Sequence, residues 1–434
     1  MANSSNNPSN IWEKLKKLSE PKSSKAVMEI VRADGSISNE VTEVLERWHK
    51  DIGDLYSGIR NNPDIIFDDK FYDEIVEKKE EFENLSYQDQ CEMSSFPSST
   101  LNEELSLIEV SDAINQVKFN KAYLDIPNEA MKNVNAKILL HKFFNACFMA
   151  GMSPADWSFS DIKPIPKKEK DPRDPLQCRC ITIMCCVAKV YSRILNCRLQ
   201  RFLEQNAILV DEQNGFRASR SCIDHIFVLC SILRNRKALN LPTFLMFIDF
   251  QKAFDKVNRN LLLYKLSQIG INGPMYKAIS SLYEHPRSRI ILNEYHTEYF
   301  ECPIGVKQGD CLSPTLFSIF INDLAVELKS ANLGIKIDHE NEFLVSLLLY
   351  ADDIVLLTEN EVDMQTLISL VETWCRKWQL ELNLTKTNIM HIRRRHQKRS
   401  NFWFLFNQKT VPYCDEYKYL GIMINQFLDF SVTA

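Results

Sequence analysis

An α+β fold built on an antiparallel sheet is the class this sequence predicts, on three observations. From Asp156 onward, short apolar β-type runs alternate with amphipathic helical segments. They do so without the regular βαβ spacing of a parallel sheet, and without an internal repeat. Two of the runs flank Ala351-Asp352-Asp353 closely enough to form a tight hairpin.

The elements follow in order. Residues 1–35 read as a polar tail and loop. Val41, Val44, Leu45, Trp48, Ile52 and Leu55 share one helical face, which predicts a helix from Ser38 with Ser38 as its N-cap. Residues 60–105 are acidic and predict irregular chain, with a polar break from Ser95 to Thr100. This front segment reads as an accessory or linker region without chemistry. Two more helices are predicted, at about Ser111–Asn120 and Glu129–Met149. Ile162–Ile165 is a strand candidate punctuated by Pro164 and Pro166, and Ile183–Leu203 is an amphipathic helix. Thr243–Phe250 is an apolar strand ending on an acid. Leu344–Tyr350 and Ile354–Thr358 are the two strands of the hairpin.

Composition excludes collagen-like, wholly disordered and disulfide-scaffold classes. The 434 residues are 45% apolar and 25% charged. No uncharged apolar run reaches the roughly 18 residues of a membrane span, so no membrane partner is expected. Met1–Asn10 lacks the apolar core of a secretory signal, so an intracellular place, nucleus or cytoplasm, is expected. The thirteen cysteines then read as free thiols. Cys178, Cys180, Cys185, Cys186 and Cys197 cluster, but not at zinc-knuckle spacing. His391 and His396 lie in a basic stretch and read as surface residues.

A net charge of −5 argues, by itself, against nucleic acid as a partner. Its distribution argues the reverse. Residues 1–130 hold 14 Lys+Arg against 26 Asp+Glu, a net of −12, which leaves 38 against 31, a net of +7, in residues 131–434. Two basic runs stand out: Lys163, Lys167, Lys168, Lys170 and Arg173, then Arg393, Arg394, Arg395, Lys398 and Arg399. A single charge run is ordinarily a solvated face. Two runs that flank one candidate site in the sequence carry more weight.

That site is marked by carboxylates set among apolar residues, which is costly without compensation. Phe244-Leu245-Met246-Phe247-Ile248 leads into Asp249, and Asp352-Asp353 interrupts the run from Leu347 to Val355. One reading is an exposed hairpin tip. Such tips favour Gly or Asn, and neither is present. The other reading is a hard-cation site, whose oxygen ligands suit Mg²⁺ and recruit substrate phosphates. Two such ions serve in-line phosphoryl transfer. The chain has only eleven glycines and neither G-x-x-x-x-G-K-[ST] nor G-x-G-x-x-G, so metals and basic side chains must handle any triphosphate.

Three motifs in order carry a resemblance. Phe247-Ile248-Asp249-Phe250-Gln251-Lys252-Ala253-Phe254-Asp255 resembles motif A of reverse transcriptases, Gly305 to Pro314 resembles motif B, and Tyr350-Ala351-Asp352-Asp353 resembles motif C. The wording is most similar to non-LTR (LINE-type) retrotransposon polymerases, over roughly Trp12 to Phe430.

The resemblance implies a right-hand polymerase fold, with an antiparallel palm sheet packed on helices and a mostly helical N-terminal extension. It divides the chain into an acidic extension (1–119), fingers (120–240), palm (241–425) and the start of a thumb (426–434). It implies an RNA-directed DNA polymerase that joins a dNTP to a primer 3′-OH. Template RNA, primer or target DNA and dNTPs are the implied partners, and two Mg²⁺ ions the cofactors, with Mn²⁺ as the alternative. Asp249, Asp352 and Asp353 would hold the metals, with the Phe250 carbonyl completing one shell. Phe254 would be the steric gate against a ribose 2′-OH. Gln308 and Gly309 would pack on the nascent base pair, and Ser313-Pro314 would cap the following helix. Lys167 and Arg179 would grip the triphosphate. Lys386 is the implied general acid for pyrophosphate. Arg217 and Arg220 would face template and nucleotide, and Tyr350 the nucleic acid. Tyr419-Leu420-Gly421 would form the primer grip. Arg394 and Arg395 would contact backbone phosphates.

The fingers entry departs from the family pattern K-A-x-G-x-D-G-I-P, because Lys121 to Pro127 lacks both glycines, and motif 2, which commonly has Pro or Gly after its arginine, has Cys180 after Arg179. Residues 1–130 show no endonuclease constellation. The chain therefore reads as the central part of a longer element protein or a decayed copy. A catalytically incompetent remnant that still binds nucleic acid is the alternative function. An intron maturase or domesticated host polymerase is a third.

Overall fold

A computed structural model describes residues 27–58, 66–94, 96, 99–118, 122–123, 126–167, 170–337 and 344–429. Most of the expected tail, Ser95, Pro97 and Ser98 of the polar break, Lys121, Leu124 and Asp125 of the fingers entry, Lys168, and residues 430–434 lie outside them.

Helix α1 (Val41–Tyr56) buries Val44, Trp48, Ile52, Leu55 and Tyr56, as its periodicity predicts. It starts later than expected, because Ser38 is held extended in a two-residue strand opposite Ile30. Glu40 stands at the cap without a side-chain bond, and the Ser38 hydroxyl donates to Glu43 (2.6 Å). Helix α2 (Asp69–Asn84) occupies chain expected to be irregular. Only Ile75 and Phe82 of its sixteen residues are buried, so its apolar signal is sparse. The Asp68 carboxylate caps it by accepting from the Phe71 N–H. Helix α3 (Leu107–Asn115) begins earlier than predicted because Ser106 and Glu109 form a reciprocal capping box. Helix α4 (Val134–Ala150) follows a separate 3-10 turn, Asn128–Lys132, and ends on Gly151 at φ 64°.

Strands β1 (Phe159–Pro166) and β2 (Cys178–Ile183) form a hairpin, followed by helices α5 (Cys186–Gln205) and α6 (Cys222–Ala238). Next come β3 (Thr243–Ile248), α7 (Arg259–Gln268), α8 (Gly273–Ser281), β4 (Arg287–Leu292), β5 (Tyr295–His296) and β6 (Phe300–Glu301). Helix α9 (Ser313–Ser330) precedes the hairpin β7 (Leu347–Tyr350) and β8 (Asp353–Thr358). Helix α10 (Glu361–Trp378), β9 (Asn388–Ile392) and the hairpin β10 (Glu416–Tyr419) and β11 (Ile422–Asn425) complete the order. Ser313 is not the cap of α9. Leu312 holds that position without a side-chain bond, and the Ser313 hydroxyl instead meets the Tyr283 hydroxyl.

The central sheet is antiparallel throughout, in the order β7-β8-β3-β9. All six residues of β3 are buried. Phe244, Met246 and Ile248 join a core shared with α9 and α10. Leu245 and Phe247 join a second cluster with α6 and the β10–β11 hairpin. Both faces are covered, which explains a continuous apolar run where a one-sided sheet would alternate. A second sheet, in the order β6-β4-β1-β2 with β5 paired to β4, is covered by α1. Only the β1–β4 pairing is parallel within it. Among the described residues, no helix is long and apolar enough to cross a membrane.

The front segment is packed into the body rather than trailing from it. Ile75, Phe82, Leu101, Leu105, Val110 and Ile114 belong to the main core. Arg198 of α5 fastens it: its guanidinium binds the Glu109 carboxylate at 2.7 and 2.9 Å and the carbonyls of Leu101, Glu103 and Glu104. Burial raises the Glu109 carboxyl, but Arg198 and the Ser106 N–H overcome it and bring the group down to about 2. Arg198→Met takes this donor from three carbonyls and leaves the carboxylate with Ser106 alone. We expect a loss of about 3–5 kcal/mol in urea unfolding at pH 7. In the wild type, this pair's contribution is complete above about pH 4.3, the unfolded glutamate value, and fades as pH falls toward 2. An unchanged urea midpoint in Arg198→Met would show that the front segment does not depend on this anchor.

Candidate active site

Asp249 follows the last residue of β3, and Ile248 pairs with Ile354. One further step in the same antiparallel register sets Asp249 beside Asp353. Tyr350 pairs with Asp353, so Ala351 and Asp352 are the two central residues of the β7–β8 turn. The missing Gly or Asn does not exclude a hairpin tip: Ala351 itself supplies the positive φ, at 61°, and Asp353 is exposed beside it. An alanine in that region costs about 1–3 kcal/mol unless its surroundings enforce it.

The surroundings come from the loop before α6. Gln213 Oε1 accepts the Gly215 N–H (2.9 Å) and the Ala351 N–H (3.1 Å). The Leu349 N–H donates to the Glu212 carbonyl, and the Asn214 N–H donates to the Leu349 carbonyl. Gly215 lies against the tip so closely that a Cβ there would stand 2.2 Å from the Ala351 nitrogen.

A second brace comes from α6. The Arg220 guanidinium donates to Asn214 Oδ1 (3.1 Å), and the Asn214 amide donates to His225 Nδ1 (3.1 Å). Burial pushes His225 down to about 4, so the ring is neutral and Nε2 carries its proton. Nε2 donates to the Tyr419 oxygen (2.9 Å), and the Tyr419 hydroxyl donates to the Asp353 carbonyl (3.4 Å). Each donor meets an acceptor.

The acids repel one another. Burial and then the Asp249 charge raise the Asp352 carboxyl. Burial, then Asp352 and Asp249, raise Asp353 to about 6. The loop before β9 answers Asp249. Asn383 donates to it through its side chain (3.1 Å to Oδ2) and its backbone N–H (2.8 Å to the carbonyl), and Lys386 Nζ lies 3.4 Å from Oδ2. The β1–β2 hairpin brings cations from the other side. Arg179 pairs with Ile165, and Lys167 follows β1. Burial lowers the Lys167 pKa, and the charges of Lys252, Lys386 and Arg179 lower it further. Three cations, Lys167, Arg179 and Lys386, therefore gather about three acids, and Lys252, held on the Cys178 carbonyl (3.3 Å), stands beside Lys167.

Phe254 is half-buried, with its ring stacked on Phe317 (4.7 Å between centroids) and edge-on to Phe216. Gln308 donates to buried Asp255 (3.0 Å), and its carbonyl accepts the Thr182 N–H (2.7 Å). Gly309 has φ 111°, and a Cβ there would lie 3.0 Å from the Thr182 carbonyl. The Phe250 side chain is buried beside Trp374.

Other candidates are engaged elsewhere. Arg217 is closed onto Glu204 (2.7 Å) and the Val210 and Gln213 carbonyls. Arg220 also binds Asp211 (2.8 Å). Tyr350 is edge-on to His225. Leu420 and Gly421, at φ 47° and 89°, form the turn of the β10–β11 hairpin, while Tyr419 is buried beneath it. Ile392 pairs with Thr243, so Arg394 and Arg395 leave the sheet at the end away from Asp249. Arg394 donates to the Lys237 and Ala238 carbonyls and Arg395 to Asp429 (2.7 Å). His391, read as a surface residue, is half-buried and stacked on Phe244.

Lys252, Gln213, Gly215, Asp255, Asn383 and His225 also build the site, though none was singled out with a role. Lys252 and Asp255 stand within the quoted motif A, but only the packing reveals what any of the six hold. Gly215→Ala must displace backbone at the hairpin tip. We expect about 1–3 kcal/mol of destabilisation in urea unfolding. Gly53→Ala, inside α1 and with only ordinary contacts to the Phe300 side chain at 3.8 Å, should cost less. Equal losses would mean that Gly215 does not brace the turn.

Among the described residues, no group of three or more His, Cys, Asp or Glu side chains is arranged to hold a metal ion by itself. The oxygen-only donor set and the mutual repulsion of the acids nevertheless suit Mg²⁺, which binds through one or two carboxylates and completes its shell with water and substrate phosphates.

Comparison with known proteins follows the same line. The family model for reverse transcriptase (RNA-dependent DNA polymerase) matches residues 165–424. A probable RNA-directed DNA polymerase from transposon BS of Drosophila melanogaster is 26% identical over 289 residues, 64% of this chain and 31% of that protein. The RNA-directed DNA polymerase from mobile element jockey of the same species is 25% identical over 324 residues, 72% and 33%. A Pol polyprotein from a type-1 retrotransposable element R2 of Popillia japonica is 28% identical over 251 residues, 57% and 34%. The chain thus spans about a third of the length of these curated relatives. With more than half of its residues inside the family match, the chain belongs to the reverse transcriptase (RNA-dependent DNA polymerase) family, in its non-LTR, LINE-type branch.

Proposed function

We propose that this chain extends a DNA primer on an RNA template, using dNTPs. The observation that carries the reading is the acid cluster at the β3 end and β7–β8 turn, faced by Lys167, Arg179 and Lys386. Cations on one side suit a triphosphate, and carboxylates on the other suit its metal.

Asp249, Asp352 and Asp353, with the Phe250 carbonyl, would hold two Mg²⁺ ions, or Mn²⁺ in their place. Such ions supply Lewis-acid stabilisation to the attacking and leaving oxygens of phosphoryl transfer. Lys167 and Arg179 orient the phosphates. Lys386, 3.4 Å from Asp249, would give a proton to departing pyrophosphate. The half-buried Phe254 ring, fixed by its stack on Phe317, crowds a ribose 2′-OH. Gln308 and Gly309 contact the nascent pair.

Residues 120–240 are read as fingers, 241–425 as palm and 426–434 as the start of a thumb. Tyr350 and the Leu420–Gly421 turn face the nucleic acid. Arg217, Arg220 and Tyr419 act by positioning their loops, since their polar atoms are engaged within the chain. Arg395, paired with Asp429 but 78% exposed, and Arg394 beside it would contact backbone phosphates remote from the acids.

Primer extension on oligo(rA)·oligo(dT) with dTTP and Mg²⁺ tests the reading. Wild type extends the primer, and Asp352→Asn loses about 10³-fold or more in rate, the equivalent of several kcal/mol. Affinity for the primer–template stays within about twofold, because Asp352 contributes none of the cationic surface. Extension that survives Asp352→Asn would overturn the assignment of the acids. A wild type that binds but never extends would favour the remnant reading.

A further inference from the structure

We infer that Tyr56, at the end of α1, is a positioning residue of the nucleotide site, acting on Gln308 through Asp255. The inference rests on the polymerase reading above and extends it to a segment outside the family match.

Asp255 is 1% exposed and Tyr56 6%. The Tyr56 hydroxyl donates to Asp255 Oδ1 at 2.7 Å. Gln308 Nε2 donates to the same oxygen at 3.0 Å. One carboxylate oxygen thus joins three segments: α1, the chain after β3, and the chain before α9. A carboxylate only accepts, so it selects the NH₂ end of the Gln308 amide and fixes which way that amide turns. Burial, and then the Asp255 charge, push the tyrosine pKa well above its usual value, so the hydroxyl stays a donor. Burial raises the Asp255 carboxyl, and the Tyr56 hydroxyl is the first group that opposes it.

The backbone shows why a third support is needed. The Val306 N–H donates to the Phe254 carbonyl and the Gly305 N–H to the Val257 carbonyl, both at 2.8 Å. A Cβ on Gly305 would stand 2.7 Å from the Asp255 carbonyl. These contacts bind the two segments in register but leave the Gln308 side chain free to turn. The Asp255 carboxylate removes that freedom, and Tyr56 is the donor that holds the carboxylate itself. Phe254, the proposed sugar gate, immediately precedes Asp255. The matched region begins at residue 165, so α1 supplies from outside it a group the site uses.

Steady-state extension of oligo(rA)·oligo(dT) with dTTP tests this in the full chain. Tyr56→Phe keeps the ring's packing and removes one hydroxyl. We expect KM for dTTP to rise about 5–20-fold, with kcat and primer–template Kd within about twofold. In a Gln308→Leu background the same substitution should add nothing, because its effect runs through that side chain. An unchanged KM, or an equal rise in the Gln308→Leu background, would overturn the inference. If Tyr56→Phe proves too unstable to assay, the comparison moves to Asp255→Asn with and without Tyr56→Phe. That background removes the buried charge and keeps an acceptor for Gln308. A KM higher in the double variant supports the role, and equal KM values overturn it. Wild type that extends while Tyr56→Phe behaves identically defeats only this inference. Wild type that extends nothing defeats the polymerase reading and this one together.

Discussion

Gln213 Oε1 accepts two backbone N–H groups at once, from Gly215 and from Ala351, and so ties a loop to the tip of a hairpin. The tie matters because the tip is strained. Ala351 takes a positive φ that glycine would adopt freely. The turn is two residues long, and one of them is Asp352, so the conformation of Ala351 decides where that carboxylate stands. The loop, the turn and the central sheet are therefore one device. β3 fixes Asp249, its register with β8 fixes Asp353, and the braced turn fixes Asp352 between them.

Electrostatics explain why bracing is needed. Three carboxylates near one another, partly withdrawn from water, would drift apart or take up protons. The raised Asp352 and Asp353 carboxyls record that tendency. The fold opposes it mechanically, through the Gln213 tie and the His225–Tyr419 brace. It also opposes it with charge, through Lys386 on Asp249 and the cations of the β1–β2 hairpin. Such an arrangement, held against its own repulsion, is suited to a divalent ion and a polyphosphate together. The N-terminal segment belongs to the same construction, because Arg198 fastens it to the core and Tyr56 reaches the site.

Much of this was legible in the sequence where a residue broke a strong pattern. Asp249, Asp352 and Asp353 interrupt apolar runs, and an acid in such a place demands a reason. Helix α1 was legible because Val44, Trp48 and Ile52 repeat at helical spacing. Helix α2 was not, because charged residues cover it and only two side chains are buried. Arg217 and Arg220 look like nucleic-acid ligands by type, but Glu204 and Asp211, thirteen and nine residues away, engage them in the fold. The Arg393–Arg399 run flanks the acids in sequence, yet β9 carries it to the far end of the sheet. Tyr56 and Asp255 are 199 residues apart, and no local pattern joins them. What the sequence conceals is thus chiefly partnership: which polar groups are already satisfied, and by whom.

The central claim is that Asp249, Asp352 and Asp353 form one divalent-ion site when substrate is present. The most direct measurement is the Mn²⁺ that co-elutes with the chain bound to dideoxy-terminated oligo(dT) on oligo(rA) and dTTP, counted by electron paramagnetic resonance. Mn²⁺ should be retained by the wild-type complex and depleted by Asp249→Asn at equal primer–template occupancy. Equal Mn²⁺ retention in the two complexes would contradict it.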